Sequence, residues 1–266
     1  METSGDRRRS KHGRAVALAA ALATAGLPAF VAGATPRDDA RVTVSKGVEQ
    51  RYRQQERHGF TVHVDERLLG PAKELGDLAL AELDSQLRQI GRAVRAEPLA
   101  RLQTIALWLG VDDPVAPCAC YHPSPDWLRD HGFDVQKAKA VEIANAANFV
   151  AWTREQPWMV LHELAHGYDD RWLQARDGAA SQGARLEALW NAAKSGGRYE
   201  KVLHWDGATV RHYALSTSDE HFAEATEAWF GANDFFPFVQ AELVAHDPEL
   251  AAFLREVWGE PIRSKG

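Results

Sequence analysis

Apolar residues along this chain follow two rhythms. Between positions 71 and 94, Leu75, Leu78, Leu83, Leu87, Ile90 and Val94 recur mostly at steps of three and four. That spacing lines one face of an α-helix, and Pro71 stands where such a helix starts. Phe60, Val62 and Val64 instead alternate with Thr61 and His63, the pattern of a short strand. Residues 102–109 read as a buried strand stopped by Gly110, and residues 141–152 as one or two strands. Residues 111–131, rich in Pro, Asp and Cys, predict a long loop with room for one turn of helix. Helices are expected over 157–173 and 181–194, the second stopped by Gly196-Gly197. A hairpin over 201–214 should turn at Asp206-Gly207. Two or three helices finish the chain, one over 218–230 and one starting near Asp247-Pro248. The whole predicts an α+β fold in a single domain, with a small mixed sheet and a helical C-terminal half.

The first residues stand outside that fold. Arg7, Arg8, Arg9, Lys11 and Arg14 form a basic head, an uncharged Ala/Leu/Val run covers 15–34, and Ala32-Gly33-Ala34 offers the small residues of a cleavage site. Residues 1–34 therefore read as a signal peptide, which implies a secreted or periplasmic protein. An uncleaved anchor is the alternative, since the run could just reach across a bilayer. Residues 35–50, polar and mixed, read as a linker, and 51–266 as the domain.

Composition narrows the function. Hydrophobic residues at 45% and charged residues at 26% exclude disorder and collagen-like repeats. A net charge of −6 argues against a nucleic-acid binder that lives on phosphate contacts. Two cysteines, Cys118 and Cys120, exclude a four-thiolate zinc module and a disulfide scaffold, and read as free or locally bridged loop thiols.

The chemistry concentrates in His162-Glu163-Leu164-Ala165-His166, an HExxH sequence inside the 157–173 helix. At 3.6 residues per turn His162 and His166 stack on one face, where their imidazoles can take two corners of a zinc tetrahedron. Glu163 sits about 100° around the helix, beside the metal, as suits a general base acting on a water that the metal polarises. A third protein ligand is required. A histidine six residues after His166 is ruled out because position 172 is Trp172, while Asp169 and Asp170, one turn on, are rival candidates. Glu220 and Glu224, at i and i+4 of the 218–230 helix, offer one carboxylate for the metal and one to hydrogen-bond a ligand histidine. Tyr213, seven residues before Glu220, could stabilise an oxyanion. His204, His212 and His246 read as structural, and the tryptophans as core.

HELAH, then Tyr213, six intervening residues and Glu220-His221-Phe222-Ala223-Glu224-Ala225, resembles the catalytic domain of anthrax lethal factor and the Pro-Pro endopeptidases. The likeness covers about residues 162–230, and His221 departs from it, since the family often has an aromatic there. The resemblance implies a zincin-like metallopeptidase domain with one catalytic zinc held by His162, His166 and Glu220. It further implies Glu163 as general base, Tyr213 as transition-state stabiliser and Glu224 as the acid orienting a ligand histidine.

Two functions follow. One is a secreted zinc metalloendopeptidase whose protein or peptide substrate lies extended beside an edge strand, for which 141–149 is the candidate. It would have no nucleic-acid partner and no stable membrane insertion after leader cleavage. The alternative is a non-catalytic secreted domain of the same architecture that binds peptide or glycan. The blocks Tyr121-His122-Pro123, Trp152 to Trp158 and Asn233 to Phe238 have no role assigned from the sequence.

Overall fold

The computed structural model describes residues 40–174 and 181–262, so the leader read at 1–34 and the start of the linker at 35–39 lie outside the described residues. An antiparallel meander comes first: β1 (Ala40–Ser45), β2 (Val48–Arg57) and β3 (Phe60–Asp65). A short α1 (Glu66–Leu69) and the long α2 (Lys73–Ala93) precede α3 (Ala96–Leu102), β4 (Leu107–Leu109) and β5 (Ala119–Tyr121). Next come α4 (Pro125–Asp130), a 3-10 turn at Val135–Lys137, β6 (Val141–Ile143) and α5 (Ala146–Trp152). The helix α6 (Met159–Tyr168) runs directly into a π-helical turn, Asp169–Leu173, ahead of α7 (Gln182–Ser195). A small hairpin, β7 (Val202–Leu203) with β8 (Thr209–Val210), is followed by a 3-10 turn at Tyr213–Leu215. Three helices close the chain: α8 (Ser218–Phe230), α9 (Gln240–His246) and α10 (Pro248–Trp258). The architecture is α+β, and no described helix is long and apolar enough to cross a membrane.

The main sheet has the order β1-β2-β3-β4-β6-β5. Strands β3, β4 and β6 are parallel neighbours, and β5 runs antiparallel to β6 at the edge. Because side chains alternate along a strand, Val62, Val64, Leu107, Leu109, Val141 and Ile143 share one face and join the main core with α2 and α6. The opposite face carries His63, Trp108 and Glu142, register partners across β3, β4 and β6. There Trp108 stacks on His63 with ring centroids 4.1 Å apart. The fully buried Lys137 ammonium bonds Asp113 Oδ2 at 2.7 Å and also Glu142 and Tyr52. Burial disfavours its charge, yet Glu142 and Asp113 raise its pKa above the ordinary lysine value. His122 Nε2 stands 2.7 Å from the other oxygen of Glu142. Charges removed from water hold together only when paired and hydrogen-bonded, so this network ties the 122–140 segment to the back of β6 and fixes the edge strand beside it.

Several elements differ from the sequence expectation. Residues 40–50 are not a linker but β1 and the start of β2, with Thr43, Ser45 and Gln50 buried. The strand expected over 102–109 is only β4, because α3 occupies its start. The loop at 111–131 contains β5 as well as α4. Residues 141–152 are one strand followed by a helix, since the Asn145 side chain accepts from the Asn148 N–H at 2.9 Å and caps α5. Leu78 on α2 is 59% exposed, and the buried stripe runs instead through Ala79, Leu83, Gln86, Leu87 and Ile90.

Two details place α6. Gln86 of α2 reaches across and accepts from the Val160 N–H at 3.0 Å, satisfying one of the backbone donors that a first helical turn leaves unpaired. Gly167 lies under the edge strand. A Cβ there would stand 2.7 Å from Ile105 Cδ1 and 2.9 Å from the Tyr121 ring, so only glycine lets β5 settle this close to the helix.

Candidate metal centre

Helices α6 and α8 cross with their charged faces together. His162 and His166 stack on one side of α6, and Glu220 enters from the first turn of α8, whose start is fixed by Thr217 accepting from the Glu220 N–H at 3.3 Å. The three donor atoms form a triangle: His162 Nε2 to Glu220 Oε2 is 3.1 Å, His162 Nε2 to His166 Nε2 is 3.1 Å, and His166 Nε2 to Glu220 Oε2 is 3.4 Å. Ligands about 2.0–2.1 Å from a tetrahedral zinc stand roughly 3.3–3.4 Å apart, so the triangle has the size of one face of that tetrahedron. Two imidazole nitrogens and a carboxylate at such spacing otherwise depend on a shared proton. Burial opposes a charge on His162, but its hydrogen bonds to Glu220 and Glu227 outweigh this and raise its pKa well above the usual value. Burial likewise opposes ionisation of Glu220, yet the two histidines hold its carboxyl well below the usual range. A divalent cation in the triangle would take over what that proton does, and the donor set fits zinc.

The outer contacts change one assignment. The residue that hydrogen-bonds a ligand histidine is Glu227, whose Oε1 lies 2.8 Å from His162 Nδ1. The sequence reading gave this task to Glu224. Its carboxyl is buried beside the site, 3.8 Å from His212 Nδ1, and makes no hydrogen bond to His162 or His166. Burial raises the pKa of Glu224 well above the ordinary carboxyl value. Helix geometry explains the exchange. At 100° per residue, the seventh residue after Glu220 lies about 20° from it around α8, and the fourth about 40°. Glu227 thus shares the Glu220 face more closely than Glu224 does. Asp169 and Asp170 also fall outside the triangle. Asp170 accepts from the Tyr121 hydroxyl at 2.6 Å and from Lys139, and Asp169 bonds Gln174.

Glu163 points the other way around α6, and its Oε2 accepts the Tyr121 N–H at 2.8 Å. Tyr121 is on β5, and the bonds Ala144 N–H to Cys118 O and His122 N–H to Ala140 O fix which backbone groups face β6. Ala119 and Tyr121 turn theirs to the free edge of the sheet, over the cleft. The candidate edge at 141–149 is corrected accordingly: β6 lies inside the sheet and the edge strand is β5. Tyr213 occupies the 3-10 turn ahead of α8 and is half exposed, with burial and neighbouring Glu220 pushing its pKa up to about 12. Its phenol is therefore a proton donor at neutral pH. Ala119, Tyr121, Gln156, Met159, Glu163, the triangle and Tyr213 line one cleft of about 670 Å³, a size typical of a ligand site.

The remaining motifs support this frame. His212 is buried, accepts the Ala214 N–H at 3.1 Å and stacks on Phe235, which holds the turn bearing Tyr213. Burial pushes its pKa down to about 3. The 233–238 block therefore acts on the site through His212. Trp158 lies against the end of α8 so closely that a Cβ on Gly231 would overlap its indole. Cys118 and Cys120 are unbridged, the first packed on Met159 and the second beside His122. Comparison with protein-family models, curated proteins and solved structures finds no match, so the chemistry of the site has to be read from its own geometry.

Proposed function

We propose that this chain is a zinc metalloendopeptidase of zincin-like fold, related in its site to the lethal-factor and Pro-Pro endopeptidase catalytic domains and acting outside the cytoplasm. One observation carries the reading: three donors spaced for zinc open onto a cleft, with the carboxylate of Glu163 beside them, outside the triangle and held by the edge strand.

Zinc held by His162, His166 and Glu220 would supply Lewis-acid polarisation of a water and of the scissile carbonyl. The protein does the rest. An extended peptide pairs with the outward backbone groups of Ala119 and with the Tyr121 carbonyl, the Tyr121 N–H being held by Glu163, as strands add to a free sheet edge. Glu163 takes a proton from the attacking water as the new C–O bond forms, then passes it to the amide nitrogen as the C–N bond breaks. Tyr213, protonated at neutral pH, donates a hydrogen bond to the carbonyl oxygen as it gains charge. Glu227 holds His162 in the orientation that leaves Nε2 for the metal.

The test is hydrolysis of a mixed peptide library by the purified protein, with and without chelator. Cleavage that stops on chelation and returns with about one zinc per chain is the expected result. A fully zinc-loaded protein that cleaves nothing would leave the peptide-binding or glycan-binding domain as the function.

The outer contacts make their own prediction. Glu227→Gln weakens zinc binding about 10- to 100-fold, the usual effect of removing a carboxylate that holds a ligand histidine. Glu224→Gln leaves it within a few-fold, because the Glu224 carboxyl makes no hydrogen bond to either ligand histidine. Competition with a chromogenic chelator measures both, and equal losses would return the orienting role to Glu224.

A further inference from the structure

Beside the catalytic cleft, across β5, lies a second cavity of about 320 Å³. Its own walls come from Val115 and Ala116 before the strand and Trp127 after it, and it shares Cys120, Tyr121 and Pro123 with the cleft. The two spaces differ in chemistry. The cleft is bordered by Glu163, Asp169, Asp170, Asp219 and Glu220, whereas the second cavity presents no acid or base except His122, already engaged with Glu142. Trp127 is 45% exposed, with one ring face stacked on His131 at 4.2 Å. Phe133 lies nearly parallel to the same indole at 5.8 Å, and Trp127 contributes to the cavity wall. A large aromatic surface is left open to water only at a cost, which burial of an apolar group would recover.

We propose that this cavity is a substrate subsite that takes one bulky, uncharged apolar side chain of the bound peptide and so sets where the chain is cut. The inference rests on the peptidase reading above and extends it to substrate class. A peptide added to the outer edge of β5 projects alternate side chains to the two faces of the sheet. On one face lies α6 with Met159 and His162, and on the other, with Cys120, lies this cavity. Only every second residue of the substrate can therefore enter it, and the preferred residue stands at one fixed position relative to the scissile bond. The volume is at the lower end for ligand pockets and suits a single Phe, Leu, Met or Trp side chain.

The experiment is a digest of proteome-derived peptides by zinc-loaded wild type, Trp127→Ala and Ala116→Phe, with cut sites read by mass spectrometry. Wild type is expected to show one position strongly enriched in large apolar residues. Trp127→Ala, which removes the aromatic wall, should lower kcat/KM about tenfold or more for a peptide with Phe at that position, while a matched peptide with Ala there is cut as before. Ala116→Phe, which fills the cavity from the other side, should shift the preference to small residues. Both substitutions sit on partly exposed positions away from the zinc triangle and Glu163, so zinc content stays at the wild-type level. A wild-type profile with no apolar position, or both variants keeping the wild-type profile, overturns the subsite and leaves the peptidase intact. A wild type that cuts no peptide overturns the peptidase reading itself, and the subsite with it.

Discussion

Glu163→Gln is expected to keep its zinc and to lose peptide hydrolysis by about 10⁴-fold, near the upper limit for removing a positioned general acid–base. The separation of the two readouts follows from where Glu163 sits. Its carboxylate is held by the Tyr121 N–H, whereas the three donors of the triangle pair with one another and His162 with Glu227 behind it. Glutamine offers a carbonyl oxygen of the same reach, so the bond to β5 and the position of the edge strand persist. It cannot accept the proton of the attacking water at any useful pH. Elemental analysis for zinc, beside cleavage of a quenched fluorescent peptide, separates the outcomes. Full zinc with retained hydrolysis would sink the proton-transfer role. Zinc lost together with activity would make Glu163 a ligand.

The parts of this site legible in the sequence are those set by helical period. His162 with His166, and Glu220 with its neighbours on α8, are fixed by steps of four and seven, and local periodicity needs no knowledge of the fold. The rest depends on partners far along the chain. Strand β5 has three residues in a stretch rich in Pro and Cys, and it exists because β6 pairs with it some twenty residues later. Without that pairing nothing distinguishes Ala119 to Tyr121 from a loop. Strands β1 and β2 escaped for another reason. Their buried positions are largely polar, among them Thr43, Ser45 and Gln50, while the outward ones mix Arg41, Arg51 and Arg53 with the exposed valines Val42, Val44 and Val48. A window whose buried positions are polar and whose apolar residues face out does not show the inward apolar pattern of a half-buried strand. Residues 141–152 failed in the opposite sense, being apolar on nearly every side, so length and the Asn145 cap were the only local signals that a strand gives way to a helix. Glu227 could have been found by counting seven rather than four residues from Glu220.

His162→Ala and Glu220→Ala both abolish stoichiometric zinc, yet they differ in what they do to the metal-free fold. A tetrahedral site reduced to two protein donors on one helix cannot hold the ion against a chelator of ordinary strength. Removing Glu220 takes away a carboxylate at the mouth of the cleft, whose side chain is still 17% exposed, and His162 keeps its bond to Glu227. Removing His162 strands Glu227, whose carboxyl is 1% exposed and bonded to the lost imidazole. Breaking a buried ion pair from one side costs about 3–5 kcal/mol, and a proton taken up by Glu227 recovers only part of that. In excess chelator, therefore, His162→Ala should melt well below the wild type and Glu220→Ala close to it. Elemental analysis and thermal denaturation give the two readings on the same samples. Should Glu220→Ala retain one zinc per chain, the third ligand lies elsewhere and the crossing of α6 with α8 is not what builds the site. Should His162→Ala melt with the wild type in chelator, Glu227 is not the carboxylate that depends on it, and Glu224 regains the place that helix geometry takes from it.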